Sequence, residues 1–352
     1  MAASDVEHLH QLAVHAFYVG ETEVGLRACE RLLSERLTPE RERLTRCNRT
    51  WYTPELSVLA DCVMQQIDIQ PAHPGWTLFN PSICSRPDGG YALIVRSSNY
   101  RCVDGRYVMP EEDAGRIRTE NLLCQLDDGL MRQGGTMRLA VEYDRSEFPV
   151  DGLEDLRLNV VQGELVGSAT CRNIAGRDGL ARIATVSLAA DALRPEVLDE
   201  PVPGRHEKNW MPILGTSSWL YSCHEDGRVV TASRQGDRWV LTPRGSSPAL
   251  ARGFRGGTQL VPCDGGWLAC VHEVADDEGR RSYEHRWVWF DAELAIVGWS
   301  SPFVFRAQRQ IEFAAGLAWY GDRLVCTFGV RDEQAWLSIL NYQQLVRGRV
   351  SA

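Results

Sequence analysis

From about residue 75 to the C-terminus, one short pattern recurs along the chain. A polar or charged residue opens an apolar strand, a DG- or GD-type turn follows, and a second apolar strand returns. Such units begin near Phe79 (FNPSI), Glu154 (EDLRL), Glu207 (EKNWM), Gly256 (GGTQL) and Ile311 (IEFAA), at intervals of about 75, 53, 49 and 55 residues. Residues 91–96, 165–170, 266–272, 286–290 and 323–328 read as strands, and PDGGY, CDGGW and YGDRL read as the hairpin turns between them. Helix-length periodicity is almost absent from this part. A period near fifty residues in an all-β chain predicts propeller blades, and five of them fill about 275 residues. A β-sandwich is the competing architecture, but it gives no reason for the repeat.

The first fifty residues follow a different rule. Leu9, Leu12, Ala13, Ala16 and Phe17 recur at helical spacing, Gly20-Glu21 interrupts, and Val24, Leu26, Ala28, Leu32 and Leu33 resume it. This predicts a helical hairpin, which resembles one tetratricopeptide-type unit. One such unit cannot bury its own apolar face, so it should dock on a neighbour. The arginine-rich stretch from Arg36 to Arg49 reads as a solvated helix or linker, with a basic binding patch as the alternative. The expected organisation is an all-β, five-bladed β-propeller over residues 51–352 with a small N-terminal α-helical hairpin and linker over 1–50.

Composition excludes several function classes. The chain has 352 residues and a formal charge of −9, which does not suit a nucleic-acid surface. No apolar run reaches the roughly 18–20 residues of a membrane span. The N-terminus lacks the basic start and apolar core of a signal peptide, so a cytoplasmic location is expected. The 11 cysteines form no CxxC pair and read as reduced thiols rather than zinc ligands. His8-x-His10 and Cys223-His224-Glu225-Asp226 lack further ligands at a familiar spacing, GFRGGT does not follow the phosphate-loop pattern, and no cofactor is expected. An unpaired helical hairpin leaves room for a homodimer.

In a propeller the innermost strand of every blade faces the central axis. The predicted blade starts carry Asn80, Glu154, Asp155, Arg157, Lys208, Asn209, Thr258, Gln259 and Glu312. Charged residues at such positions need partners or a function. They therefore outline either a binding site or a structural ion network that closes the channel. On a regular strand Glu154 and Asp155 point to opposite faces, so only one would reach the axis.

Five segments in order, FNPSI with ALIVR, GLEDLRL, EKNWMPI, GGWLACVHEV and FGVRDEQAWLSIL, resemble the successive motifs of the β-mannoside phosphorylase family, glycoside hydrolase family 130, and related mannosyltransferases. The resemblance runs from about residue 76 to 345 and leaves the helical hairpin outside. It implies a five-bladed propeller. It selects Asp155 as the general acid/base, although Leu156 replaces the usual proline of that motif. It assigns Lys208 and His272 to phosphate contact, with Arg172 and Arg182 as further phosphate arginines. Arg255 in FRGGT is another candidate anion ligand. Asp332 matches an aspartate that binds sugar hydroxyls, with Asn80, Arg96, Asn209 and Glu312 as other sugar-site candidates. Glu273 and Glu312 are the glutamates that would position water in a hydrolase. Trp210, Trp267 and Trp319 offer sugar-stacking faces or blade packing.

The expected function is that of a carbohydrate-active enzyme: an inverting glycoside phosphorylase or glycosyltransferase using a β-mannosyl-type sugar phosphate or nucleotide sugar, with inorganic phosphate as a second partner. A glycoside hydrolase is an alternative. A non-catalytic propeller that binds a carbohydrate or protein partner is another.

Overall fold

The computed structural model describes residues 3–103, 106–113, 115–142, 148–173, 179–188, 192–197 and 199–352. Five antiparallel sheets follow one another around an axis, each formed mainly by strands consecutive in sequence. Blade I runs outward from Thr77–Ser85 through Tyr91–Ser98 and Ile117–Leu126 to Arg132–Val141. Blade II runs from Glu154–Val161 through Glu164–Cys171 and Arg182–Ser187 to Glu196–Val197. Blade III begins at the short inner strand Met211–Pro212, and blade IV at Val261–Cys263. Blade V begins at Glu312–Tyr320 and continues through Arg323–Val330 to Gln334–Asn341. The five-bladed propeller and its blade starts are as the repeat predicts.

The ring closes by a strand that the sequence pattern does not reveal. Cys62–Gln66 pairs antiparallel with Gln334–Asn341, so residues before the first blade supply the outer strand of the last. Its side chains are all half-buried or exposed, and such a strand shows no apolar alternation. Two further straps cross between blades. Val350–Ser351 joins blade IV, and Ala192–Leu193 pairs parallel with the outer strand of blade I. The core lies between blades rather than along the axis. Between blades IV and V, Trp287, Phe303, Phe305 and Phe328 are buried together, with Phe305 stacked on Phe328 at 4.0 Å.

The N-terminal segment holds three helices, α1 (Ala3–Val19), α2 (Thr22–Leu33) and α3 (Pro39–Arg49). Gly20 has φ +76°, which ends α1 in the left-handed conformation favoured at helix C-termini. Thr38 caps α3 and Pro39 occupies its first turn. Ala13 and Ala16 of α1 pack on Ala28 and Cys29 of α2 and on Tyr52.

The reading of residues 36–49 as a solvated helix is overturned at its C-terminal half. Arg46 and Arg49 of α3 are buried against blade IV. Arg49 donates to Glu284 at 2.7 Å and to Glu30 at 3.0 Å, and it lies 3.1 Å from Glu273. Arg46 contacts Glu273 at 2.6 Å, and Arg286 bridges Glu273 and Glu30 at 2.5 and 2.6 Å. Arg46 also pairs with Glu42 at 2.8 Å, so three arginines meet four glutamates. Buried charges persist only when paired this fully. The arginines that look like a solvated face in sequence are what fasten the helices to the propeller. None of the 11 cysteines forms a disulfide. Among the described residues, no helix is long and apolar enough to cross a membrane.

Candidate functional site

The candidate site lies at the end of the propeller where the inner strands begin. Three successive blades put a non-glycine residue of left-handed backbone there: Asn80 (φ +46°), Asp155 (φ +52°) and Asn209 (φ +60°). Asn and Asp tolerate that region better than most residues, and such strain concentrates at functional sites. Two of the three coincide with breaks in strand register, between Phe79 and Ser82 in blade I and between Glu154 and Arg157 in blade II. These are β-bulges, which redirect side chains. Strict alternation therefore fails at Glu154 and Asp155. Asp155 turns to blade I, while Glu154 reaches Lys208 at 3.8 Å and still acts electrostatically on Arg96 and Asp332. The expectation that only one of the two serves this region is corrected accordingly.

Asp155 accepts hydrogen bonds from Asn80 Nδ2 at 2.8 Å and from Arg96 at 2.9 Å. Burial alone would raise its pKa. The Arg96 guanidinium, the Asn80 bond and nearby Arg157 outweigh burial and hold the carboxyl below its ordinary value. Asp332 behaves oppositely. It accepts a bond from Tyr100 at 3.1 Å, and burial pushes it up to about 6 against the pull of Arg96. The site therefore holds one carboxyl kept ionised and one whose proton affinity is raised, so that it gives up its proton only around pH 6. The Arg96 guanidinium lies over the Phe79 ring at 4.8 Å and the Tyr100 ring at 5.8 Å.

Asp155 and Arg157 do not pair through their side chains. The Arg157 guanidinium donates to three neutral oxygens: Gly257 O at 2.6 Å, Asp155 O at 3.2 Å and Asn209 Oδ1 at 3.3 Å. It is 2% exposed, and burial lowers its pKa to about 10, still well above neutral. The result is a buried cation with no carboxylate of its own among the described residues.

The other phosphate candidates divide. Arg172 follows the strand paired with Glu154, lies over the Phe148 ring at 5.5 Å, and keeps a buried Nε without a partner among the described residues. Arg255 is exposed; its backbone pairs with that of His272 at 2.8 and 3.0 Å. Among the described residues Lys208 pairs with Glu154, at 3.8 Å. Arg182 lies one strand further out, opposite Cys171, and is tied to Glu200 at 3.0 Å. His272 is buried, stacked on Tyr283 at 4.9 Å and edge-on to Phe313 at 5.1 Å. Burial first, then His285, Arg255 and Arg157, drive its pKa well below histidine's usual range. Its ring is therefore neutral at neutral pH, and its buried Nδ1 has no partner among the described residues. As a cationic phosphate ligand His272 is thus corrected; a neutral ring can exchange a hydrogen bond but supplies no charge.

Two glutamates are placed elsewhere. Glu273 points away from His272 into the ion cluster beneath α3. Glu312 accepts bonds from the backbone N–H groups of Phe305, Arg306 and Ala307 and from Gln310, so it is buried and organises a loop. Trp210 is buried in blade III between Tyr221 and Trp239, which is packing. Trp319 donates to the Pro262 carbonyl, and Trp267 packs against the core shared by blades III and IV. The GG of FRGGT answers a steric need: a Cβ at Gly256 would stand 1.7 Å from the Asn209 carbonyl oxygen.

Sequence reasoning missed three aromatic members of the site. Tyr100 joins Arg96 to Asp332, Tyr283 supports His272, and Tyr107 packs edge-on to Tyr100 at 4.9 Å and hydrogen-bonds Arg281 of blade IV. Tyr100 follows the second strand of blade I and Tyr107 lies on the short hairpin Arg101–Val103 and Arg106–Val108 beyond it, where no apolar period marks them.

No family model matches this sequence, and no curated protein matches it. Solved structures share its fold. A β-1,2-mannobiose phosphorylase from Listeria innocua aligns with TM-score 0.52 at 12% identity, over 84% of this chain and 98% of that one. A structure of the GH130 family of mannoside phosphorylases, a family containing glycoside hydrolases that target β-1,2-mannosidic linkages in Candida mannan, aligns with TM-score 0.56 at 14% identity, over 83% and 97%. A glycosyl hydrolase from Bacteroides ovatus aligns with TM-score 0.51 at 14% identity, over 83% and 97%. The resemblance read from the motifs is borne out in the fold, which is that of the mannoside phosphorylases.

Proposed function

We propose that this chain is a carbohydrate-active enzyme that moves a β-mannosyl-type sugar between phosphate and an acceptor hydroxyl, with Asp155 as the proton-transferring carboxylate. The observation that carries this reading is the pairing of opposite environments at one end of the axis. Asp155 is held ionised by Arg96 and Asn80, while Asp332 retains a proton to about pH 6. Two carboxyl groups driven apart in proton affinity are the usual sign of an acid–base site.

An ionised Asp155 suits the synthetic direction. The acceptor oxygen forms the bond to the anomeric carbon as the bond from that carbon to the phosphate oxygen breaks. Phosphate leaves with the electron pair. The acceptor proton passes to Asp155, directly or through a sugar hydroxyl lying on it. Phosphorolysis is the reverse and needs that proton returned to the leaving oxygen. In this reading Arg157 supplies buried positive charge for the phosphoryl group, with Arg255, Lys208 and Arg172 as further candidate cations. Asn80, Arg96, Asn209 and Asp332 shape the sugar subsite.

Plain hydrolysis is the weaker reading. It needs a carboxylate to position water, and both glutamates available for that, Glu273 and Glu312, are fully buried and engaged by other partners. The test is phosphate release from a panel of sugar 1-phosphates with sugar acceptors, run with wild type and Asp155→Asn. Release that needs both an acceptor and Asp155 supports the proposal. Silence with every sugar phosphate and nucleotide sugar overturns it in favour of a binding propeller.

A further inference from the structure

Blade I carries a cleft of about 660 Å³ that none of the roles above uses. Its size lies within the roughly 300–1,000 Å³ of small-molecule sites. Trp76, His73, Thr119, Glu120, Arg138 and Gly152 form its walls. Strand polarity sets where it opens. Trp76 precedes the inner strand, Thr119 and Glu120 stand at the start of the third strand, and Arg138 is near the end of the fourth. That is the same end of the propeller as Asn80, Arg96 and Asp155. The two regions share a wall. Arg96, the partner of Asp155, also donates to Thr119 at 3.2 Å, and Gly152 lies three residues before Asp155.

The lining argues for the class of ligand. Trp76 is half-buried with its ring 4.4 Å from that of His73, which supports an aromatic wall. Glu120 is contacted by His73 at 2.9 Å and by Arg138 at 3.1 Å, and Arg118 is matched by Asp113 at 3.2 Å. Among the described residues both arginines lining the cleft, Arg118 and Arg138, are matched by a carboxylate, so an anion gains little from them. A purely apolar ligand would desolvate these charges. A neutral polyhydroxylated ring satisfies both demands, with its C–H face on the indole and its hydroxyls on forked carboxylate and guanidinium groups.

We infer that this cleft is a second saccharide subsite, in which further sugar units of an oligosaccharide acceptor extend outward over blade I from the axial site. The inference rests on the glycosyl-transfer reading and names the acceptor as a chain rather than a single sugar. Asp155→Asn, which keeps the cleft intact and does not turn over, is titrated calorimetrically with β-1,2-linked mannose oligomers of two to five units. Affinity should rise about tenfold or more with length. Adding Trp76→Ala should abolish that gain while leaving the shortest oligomer unaffected, and Trp76→Phe should retain most of it. An affinity independent of length, a gain that survives Trp76→Ala, or no binding of any oligomer overturns the inference. The glycosyl-transfer reading is judged separately, by phosphate release from wild type with a monosaccharide acceptor, which the cleft does not influence.

Discussion

Arg96 of blade I donates to Asp155 of blade II across 2.9 Å, and the same arginine lies over the rings of Phe79 and Tyr100. One guanidinium thus sets the charge of the central carboxylate and packs against the aromatic that holds Asp332. Replacing Asp155 with Asn keeps the shape but removes the proton-accepting charge. Glycosyl transfer should fall by about 10²–10⁴-fold. Comparing the two rates at matched folding checks this, and a variant within a few-fold of wild type would remove Asp155 from the chemistry.

Asp332 should cost stability at neutral pH. Its folded pKa of about 6 exceeds the unfolded value near 3.9, so the folded chain binds the extra proton. Stability should therefore fall as pH rises from about 4 to about 6. The cost is at most about 3 kcal/mol, from 1.36 kcal/mol per pKa unit. Asp332→Asn should be more stable than wild type at pH 7.5 and equal to it near pH 3.5 while losing activity. Urea unfolding at both pH values measures this, and the same gap at both would contradict it.

The ion cluster under α3 should be fragile to loss of a single member. Glu273→Gln leaves Arg46, Arg49 and Arg286 short of one negative charge in a buried setting. A cost of about 3–5 kcal/mol is expected for a broken buried pair. Chemical denaturation of the full chain tests this. A loss below 1 kcal/mol would mean that the cluster is solvated in solution.

Arg157 should bear on the phosphoryl group rather than on the sugar. Arg157→Lys keeps the charge but cannot reach Gly257, Asp155 and Asn209 oxygens together. The KM for the sugar phosphate should rise about tenfold, with the acceptor KM little changed, because a charge-assisted bond is worth roughly 1.5–3 kcal/mol. Initial-rate kinetics in both substrates separate the two.

At Asn209 the left-handed backbone makes a steric prediction. Both Asn209→Val and Asn209→Gly lose the Oδ1 acceptor of Arg157, but Val, a β-branched residue at φ +60°, should be less stable than Gly by about 1–2 kcal/mol. Thermal unfolding of the pair tests whether the left-handed backbone at Asn209 is imposed by the fold.

The blades, their starts at Glu154, Gly256 and Ile311, and the hairpins between them were legible because a strand's period and a turn's glycine are local facts. Asn80 and Asp155 were legible as polar residues at blade starts, Arg96 and Asp332 only through the family resemblance, and the structure brings the four together. Glu312 looked the same in sequence, yet it serves the backbone of its own loop. Polarity at a blade start says that a partner must exist and not which partner it is.

What the sequence determined by itself was the repeat, hence the number of blades and the end at which polar residues collect. Only the tertiary structure decided the rest. It showed that Cys62–Gln66 closes the ring, that Arg46 and Arg49 lie buried between helix and blade, and that a bulge turns Asp155 toward Arg96 while leaving Glu154 to Lys208. It also showed that His272 is neutral. The physical reason is the same for each. Periodicity reports which side of an element faces water, but a charge's partner, its burial and its proton affinity depend on residues tens to hundreds of positions away, and those are set only when the blades meet.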